Sequence, residues 1–256
     1  MPVTEPGAAD APHGRGEHDS AGHTWSGRQL TGTGFDQDDG GMDPQLSRAL
    51  RDPGDERALV AAVHGARLLV PVVAVPGEVD ASDGLVVEKS TDMAVVTLTA
   101  PDGRRALPVF SSLAALQAWD ASARPVPVAA SRAAQAAVQE RCDVILLDLG
   151  RPESLVLRSS MVWALATGRE WLPAHDDPFV RSALGRALAE EPDVVGWSGE
   201  PGEPPRSGTL RLVLRLRAGL DAAAVQALAT RVGERIAADG ETRARIDALT
   251  FSIRQA

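Results

Sequence analysis

Leucine and arginine alternate along residues 209–217, and this is the cleanest period-two pattern in the chain. Successive side chains of a strand point to opposite faces, so the pattern predicts a strand with one buried face and one solvated face. The leucines at 210, 212, 214 and 216 form the predicted buried face. The solvated face is predicted to carry Arg211, Arg215 and Arg217.

A second pattern covers residues 93–119, MAVVTLTAPDGRRALPVFSSLAALQAW. Residues 93–99 favour a strand, and the Ala-Pro-Asp-Gly stretch that follows is typical of a tight turn. Residues 104–110 return as a second strand, so a hairpin is predicted, with Pro108 near an edge or a bulge. Ser111 or Ser112 is expected to cap a helix, because a serine hydroxyl accepts from the free amides of a first turn.

The sequence before this unit predicts one helix and one strand. Asp55 is expected to cap a helix over residues 56–64, and the apolar run at residues 67–75 predicts a strand. Pro71 lies inside that run and indicates an edge strand or irregular pairing, because proline has no amide to donate.

After the unit, the pattern predicts a strand, a helix and a second strand. The strands are expected at residues 125–130 and 143–149, and the helix is expected to begin at Ser131. This spacing favours a parallel pair joined by a right-handed crossover. Residues 155–157 suit an edge strand, and Ser159 or Ser160 is expected to cap a further helix.

The C-terminal third predicts two helices and three strands in the order α-β-β-α-β. Asp177 and Asp221 are the expected helix caps, and a last strand is expected at residues 245–253. Helices on one face of a small antiparallel sheet satisfy this order. The predicted fold class is therefore mixed α+β and α/β: an N-terminal mixed-sheet domain with a hairpin and one β-α-β crossover, then a smaller α-β-β-α-β domain.

Residues 1–47 carry nine glycines and few large apolar residues. Such a segment buries too little surface to offset its ordering entropy, so we expect a disordered acidic tail. The predicted domains then cover residues 48–173 and 174–256. Within the tail, Trp25 and Phe35 are candidate recognition elements. A metal site at His13, His18 and His23 is a weaker interpretation, because their spacing of five suits no preformed site.

The hairpin with PVFSSLAALQAW resembles the N-terminal domain of the SseB family, named for enhanced serine sensitivity. The stretches LLVPV at residues 68–72, EKSTDMA at 88–94, PVPV at 125–128 and RCDVILLDLG at 141–150 fit the same resemblance. It covers roughly residues 55–173. It implies family membership but no chemistry, since no catalytic residue of the family can be carried over.

Charge and cysteine content limit the function classes. The formal net charge is −9, and residues 1–50 hold 3 arginines against 8 acidic residues. Non-specific nucleic-acid binding needs an excess of basic charge, so we expect no nucleic-acid partner. A single cysteine excludes an intramolecular disulfide and favours the cytoplasm. No secretory signal or long apolar run is found, so we expect no membrane partner.

Several residues are candidates for chemistry without forming a recognisable catalytic set. Asp148 follows a predicted central strand, where open sheets tend to place ligands, although a turn or capping role is the more ordinary interpretation. Cys142 is expected to be a packed thiol, and Lys89 stands out only as the sole lysine. His175 lies beside two aspartates in a predicted linker. We assign no catalytic, cofactor-binding or metal-ligating residue and expect no cofactor.

Three functional hypotheses follow. The first is a non-enzymatic protein-interaction or regulatory module, in which Arg211, Arg215 and Arg217 bind an acidic partner or phosphate. The second is an enzyme or small-ligand binder linked to serine or sulfur amino-acid metabolism, with a pocket that contains Asp148 and either Lys89 or His175. The third is a subunit of a homo-oligomer.

Overall fold

Eight helices and ten strands lie in the part of the chain that the computed structural model describes, residues 34–35, 37–75 and 92–255. The chain divides into two units, Met1–Asp38 and Asp39–Ala256. In the first unit, the Asp38 amide donates to the Phe35 carbonyl at 3.0 Å. His13, His18, His23, Trp25 and Lys89 lie outside the described residues.

The N-terminal elements of the second unit alternate helices with short strands. Its helices are α1 (Pro44–Arg51), α2 (Glu56–Gly65), α3 (Leu113–Trp119), α4 (Ala130–Gln139) and α5 (Ser159–Thr167). Its strands are β1 (Arg67–Val75), β2 (Asp92–Val95), β3 (Leu98–Thr99), β4 (Arg105–Val109), β5 (Arg124–Ala129), β6 (Val144–Leu147) and β7 (Leu155–Leu157). The sequence did not predict α1, which begins inside the stretch assigned to the tail and buries Leu46 completely.

These strands form two sheets, in the orders β2-β1-β5 and β3-β4-β6-β7. The predicted hairpin is therefore only partly correct. β3 pairs with β4, but β2 pairs with β1 in the other sheet. The apolar stretch at residues 93–99 thus divides between two sheets, because each half finds a different partner. The two sheets meet where Leu69 and Phe110 exchange backbone hydrogen bonds of 2.8 and 2.9 Å.

The mixed sheet contains one parallel pair that includes β6, as predicted, but the strand that pairs with β6 is not the predicted one. β6 runs parallel to β4, whereas β5 pairs antiparallel with β1. The predicted parallel pairing of residues 125–130 with 143–149 is wrong, because both flanks of β6 are occupied by β4 and β7. β1 is likewise a middle strand rather than an edge. Pro71 lies opposite Pro125, just before pairing with β2 begins at Val72.

Helix caps follow the sequence at some termini and not at others. Asp55, Ser112, Asp177 and Asp221 each accept a first-turn amide, as predicted. Ser131 does not cap α4, which begins one residue earlier with no side-chain cap. Ser159 and Ser160 lie inside α5 rather than before it, and α5 ends at Gly168, which adopts a left-handed conformation.

The C-terminal part contains three helices and one sheet. The helices are α6 (Pro178–Leu188), α7 (Ala222–Ala238) and α8 (Gly240–Arg245), and the strands are β8 (Val194–Pro201), β9 (Thr209–Leu216) and β10 (Ala248–Gln255). The predicted fully antiparallel sheet is wrong, since β10 pairs parallel with β9, while β8 pairs antiparallel with it. The extra helix α8 occupies part of the stretch predicted as the last strand.

Two main apolar cores lie in the second unit. The first gathers residues between Leu46 and Trp171 around α4, α5 and the mixed sheet. The second packs α6 and α7 against the four leucines of β9, which are at most 2% exposed. The α+β fold class is confirmed, while the boundary between residues 173 and 174 stays a prediction. No helix among the described residues has the length and apolar composition of a membrane span.

Candidate interaction surface

Asp148 is a structural link rather than a ligand group in this fold. The residue is 1% exposed, and its two carboxylate oxygens accept from the Ser111 amide at 2.8 Å and the Ser111 hydroxyl at 2.6 Å. It adopts a left-handed conformation with φ of 53°, which aspartate tolerates better than most residues. These bonds join the end of β6 to the corner between β4 and α3, so both acceptor oxygens are already engaged.

Cys142 lies partly buried against the first core, where burial raises the pKa of its thiol. A raised thiol pKa reduces the thiolate fraction at neutral pH and therefore its reactivity. This environment supports the prediction that Cys142 packs rather than reacts.

His175 lines three adjoining cavities of about 50, 310 and 790 Å³. Its Nε2 atom is 3.5 Å from the Asp176 carboxylate, which is 66% exposed. None of these three cavities is lined by Asp148. The predicted pocket that combines Asp148 with His175 is therefore not present in them. Groups of three or more potential metal ligands are likewise absent among the residues that the structure describes.

The two cores are joined by a partly buried ionic network that the sequence did not reveal. Arg158, immediately before α5, contacts Glu56 at 2.6 Å and Asp247 at 2.9 Å. Asp247 also accepts from the Ser160 amide at 2.8 Å and the Ser160 hydroxyl at 2.9 Å, so it caps α5 from a position 87 residues away. Burial alone would lower the pKa of Arg158, but its hydrogen bonds to both carboxylates raise it overall.

Other buried charges of the second unit are also engaged with one another. Arg245 contacts Asp177 at 2.9 Å and Glu241 at 2.7 Å, and its guanidinium lies 4.3 Å from the Phe179 ring centroid. Burial, followed by the nearby positive charge of Arg245, lowers the pKa of Arg169. These groups connect α5, α6 and α8, so we assign them to the support of the fold.

Glu191 is the most enclosed charged residue with two cationic partners. Its side chain is 3% exposed and contacts Arg231 at 2.7 Å and Arg235 at 2.9 Å. The hydrogen bonds from Arg231 are the main cause that holds the pKa of Glu191 below its ordinary value of 4.5. The ionised form is therefore favoured in the folded state.

We expect Glu191 to stabilise the fold above pH 4.5 and to lose this contribution as the pH falls through its lower folded pKa. The stability difference between wild type and Glu191→Gln should be largest at pH 7 and should shrink as the pH falls below 4.5 and through the lower folded pKa of Glu191. Urea unfolding at several pH values measures this difference. Glu153→Gln, whose side chain is 51% exposed, is the control and should differ little from wild type at every pH. A pH-independent difference for Glu191→Gln would contradict the assignment.

The C-terminal sheet has a mainly polar face opposite the face covered by α6 and α7, and Val213 at the centre of this polar face is 3% exposed. We define the open sheet face by the residues that share this side in the observed registers. They are Gly196, Ser198 and Glu200 of β8, Arg211, Val213 and Arg215 of β9, and Thr250, Ser252 and Arg254 of β10. Ser198, Arg215, Thr250 and Arg254 are exposed.

The three predicted arginines do not act alike on this surface. Arg211 forms an ion pair with Glu200 at 3.0 Å, and Arg217 follows the end of β9 and donates to the Pro192 carbonyl at 3.4 Å. A hydrogen bond from Ser198 is the main cause that lowers the pKa of Glu200, with further contributions from Arg211 and Arg254. Arg211 is therefore compensated by a carboxylate that stays ionised.

Arg215 has a different neighbour, Arg254, which the sequence pattern did not predict. The two residues are directly opposite each other on β9 and β10. Neither forms an ion pair or a side-chain hydrogen bond with any residue that the structure describes. The alternation of Thr250, Ser252 and Arg254 is a sequence signal for this face, but the strand order that places Arg254 beside Arg215 has no local signature.

Residues 44–164 match the family model of the SseB protein N-terminal domain. This match runs from the start of α1 into α5 and ends before the C-terminal sheet. Comparison with curated proteins finds no match, and comparison with solved structures also finds none.

Proposed function

The chain belongs to the SseB family, and from this premise we propose that it is a non-enzymatic protein-interaction or regulatory module that binds its partner through the open sheet face. The observation that carries the proposal is the pair of Arg215 and Arg254, which occupy opposed positions on β9 and β10 and form no ion pair with any residue that the structure describes. Arg132 on α4 and Arg243 on α8 also lack ion pairs among the described residues, but neither has a second arginine opposite it on a neighbouring strand. Exposed arginines are frequent anchors of protein interfaces.

The alternative is an enzyme or small-ligand binder linked to serine or sulfur amino-acid metabolism. The cavities beside His175 favour this alternative, because pockets of 300 Å³ and more suit small ligands. Against it, two of the sequence candidates are engaged elsewhere: Asp148 by Ser111, and Cys142 in the first core. We therefore place the interaction module first and propose that it works in the cytoplasm.

Affinity purification of the full chain from the cells that make it tests the proposal. We expect at least one protein to be recovered in near-stoichiometric amount with wild type and to be lost with Arg215→Glu/Arg254→Glu. The matched control is Arg132→Glu/Arg243→Glu, which makes the same charge change at two exposed arginines without ion pairs among the described residues. The control should retain the partner.

Recovery of the same proteins with wild type and the face variant would contradict the proposed surface. Turnover or saturable binding of a metabolite that is abolished by His175→Ala would instead favour the alternative. Melting temperatures of all variants should first be compared, so that loss of a partner is not confused with loss of the fold.

A further inference from the structure

We propose that the partner presents an acidic segment, and that Arg215 and Arg254 bind its carboxylates together at one end of the open sheet face. This inference rests on the proposed function and names the chemistry of the partner. It follows from three features of the sheet: the opposition of two arginines, the glycine beneath one of them, and the compensation of the only other arginine on the face.

The first feature is the cross-strand register. Arg215 and Arg254 are paired positions on adjacent strands, and neighbouring strands lie about 5 Å apart. Two like charges directly opposite each other repel, which disfavours the sheet unless an anion compensates them. Guanidinium groups bind carboxylates through two parallel hydrogen bonds, and two arginines at paired strand positions can each bind a different carboxylate of one acidic segment.

The second feature is Gly196, which lies opposite Arg215 on β8. The Arg215 side chain occupies the space that a β-carbon at Gly196 would take, with its Nε only 2.8 Å from that position. The register of β8 shifts between Val194 and Gly196, and such bulges often re-aim side chains next to binding sites. Gly196 therefore allows the Arg215 guanidinium to lie across β8, on the side of β9 away from Arg254, so the two guanidinium groups are placed to bind separate carboxylates of one acidic segment that crosses the sheet.

The third feature is the distribution of charge along the face. Arg211 lies four residues from Arg215 on β9 and is paired with Glu200, so the positive charge without a partner is confined to the Arg215 end. The intervening row of Ser198, Val213 and Ser252 carries no charge. A partner segment with a short acidic cluster followed by uncharged residues fits this face, because its acidic cluster would meet the two arginines and its uncharged residues would lie over the uncharged row.

A protein segment fits better than a nucleic acid. The whole chain carries a net charge of −9, which repels a long, uniformly charged polyanion. Nucleic-acid sites use many basic groups to displace counterions, whereas this end of the face offers two.

Fluorescence anisotropy with the full chain and a labelled peptide tests the inference. The probe is a twelve-residue peptide with four consecutive glutamates followed by serines and glycines, and the matched peptide has glutamine in place of glutamate. We expect saturable binding of the glutamate peptide alone. Arg215→Glu/Arg254→Glu should weaken it about tenfold or more, and Arg132→Glu/Arg243→Glu should leave it within about twofold.

Gly196→Ala is the sharper variant, because it keeps both charges and displaces only the Arg215 side chain. The atoms that it would crowd belong to the flexible end of an arginine, so we expect little change in melting temperature. Peptide affinity should nevertheless fall about threefold or more, since the guanidinium loses its orientation. Wild-type affinity in Gly196→Ala would overturn the positioning role of Gly196 and with it the arrangement proposed here.

Other occupants give different results. Equal affinity for a twelve-nucleotide single-stranded DNA would overturn the peptide in favour of a general polyanion site, and complete competition by millimolar inorganic phosphate would assign the pair to a small anion. Concentration-dependent dimerisation that disappears with Arg215→Glu/Arg254→Glu would assign the face to a second copy of this chain.

If the peptide fails to bind while a cellular partner still depends on the face, the inference fails and the proposed function stands. If the peptide binds but no cellular protein depends on the face, the proposed function fails.

Discussion

Replacing Asp247 with alanine should lower the free energy of unfolding by about 3–4 kcal/mol, the largest single effect that we expect. Two losses combine. Arg158 keeps only Glu56 as a carboxylate partner in a site where its side chain is 17% exposed. The first turn of α5 also loses the oxygen that accepts from the Ser160 amide. Removal of one member of a buried pair is costly because the remaining charge stays desolvated.

Urea unfolding followed by tryptophan fluorescence measures this loss, and hydrogen exchange locates it. The Ser160 amide should exchange faster in Asp247→Ala than in wild type, since its acceptor is gone. Asp247→Asn keeps an oxygen for that amide but removes the charge, so its free energy of unfolding should lie between those of wild type and Asp247→Ala. Asp102→Ala is the control, because Asp102 pairs with Arg104 on the surface with 52% of its side chain exposed. If Asp247→Ala is no less stable than Asp102→Ala, Asp247 does not hold the two cores together.

Asp148→Ala should lower the free energy of unfolding by about 2–4 kcal/mol. The substitution leaves the amide and hydroxyl of Ser111 without their acceptor in a site where Ser111 is fully buried. It also places alanine in a left-handed conformation that aspartate tolerates better. Thermal and urea unfolding measure the loss.

Asp148→Asn separates the structural role from a chemical one. Asparagine accepts one hydrogen bond and tolerates the same backbone conformation, so most of the stability should return. Partner recovery by Asp148→Asn should equal that of wild type, because Asp148 lies away from the open sheet face. A stable Asp148→Asn protein that loses a metabolic activity would instead assign Asp148 to catalysis.

The family match and the proposed interaction surface rest on different parts of the chain. The match covers residues 44–164, whereas the open sheet face is formed by residues 196–254. The match to the SseB N-terminal domain therefore does not by itself supply the partner chemistry. A variant in the open sheet face tests that chemistry without altering the matched domain.

Most individual elements were predictable because their signals are local. The alternation along β9, the apolar stripe of α7 and the aspartate caps of α2, α6 and α7 all involve residues within a few positions of one another. Such patterns reflect which side of an element is buried, and a chain segment carries that information in its own order. Helix α1 was missed because only Leu46 is buried in a polar segment.

Strand partners and long-range caps were not predictable in this way. A strand at residues 125–130 has the same composition whether it pairs with β1 or with β6, and only the packed unit chooses between them. The cap of α5 is similar, since Ser159 and Ser160 carry a local capping signal, yet Asp247 supplies the acceptor. Contacts across such separations depend on the whole arrangement of helices and sheets.

The amino-acid order alone therefore determined where most helices and strands form, which of their sides are apolar, and that no recognisable catalytic motif is present. The tertiary structure decided that Asp148 is bonded to Ser111, that Arg211 is compensated by Glu200, and that Arg254 stands beside Arg215. The physical reason is the separation along the chain over which each kind of interaction acts. Burial periodicity and capping act between near neighbours in the chain, whereas sheet register and charge pairing act between residues that meet only after the chain has folded.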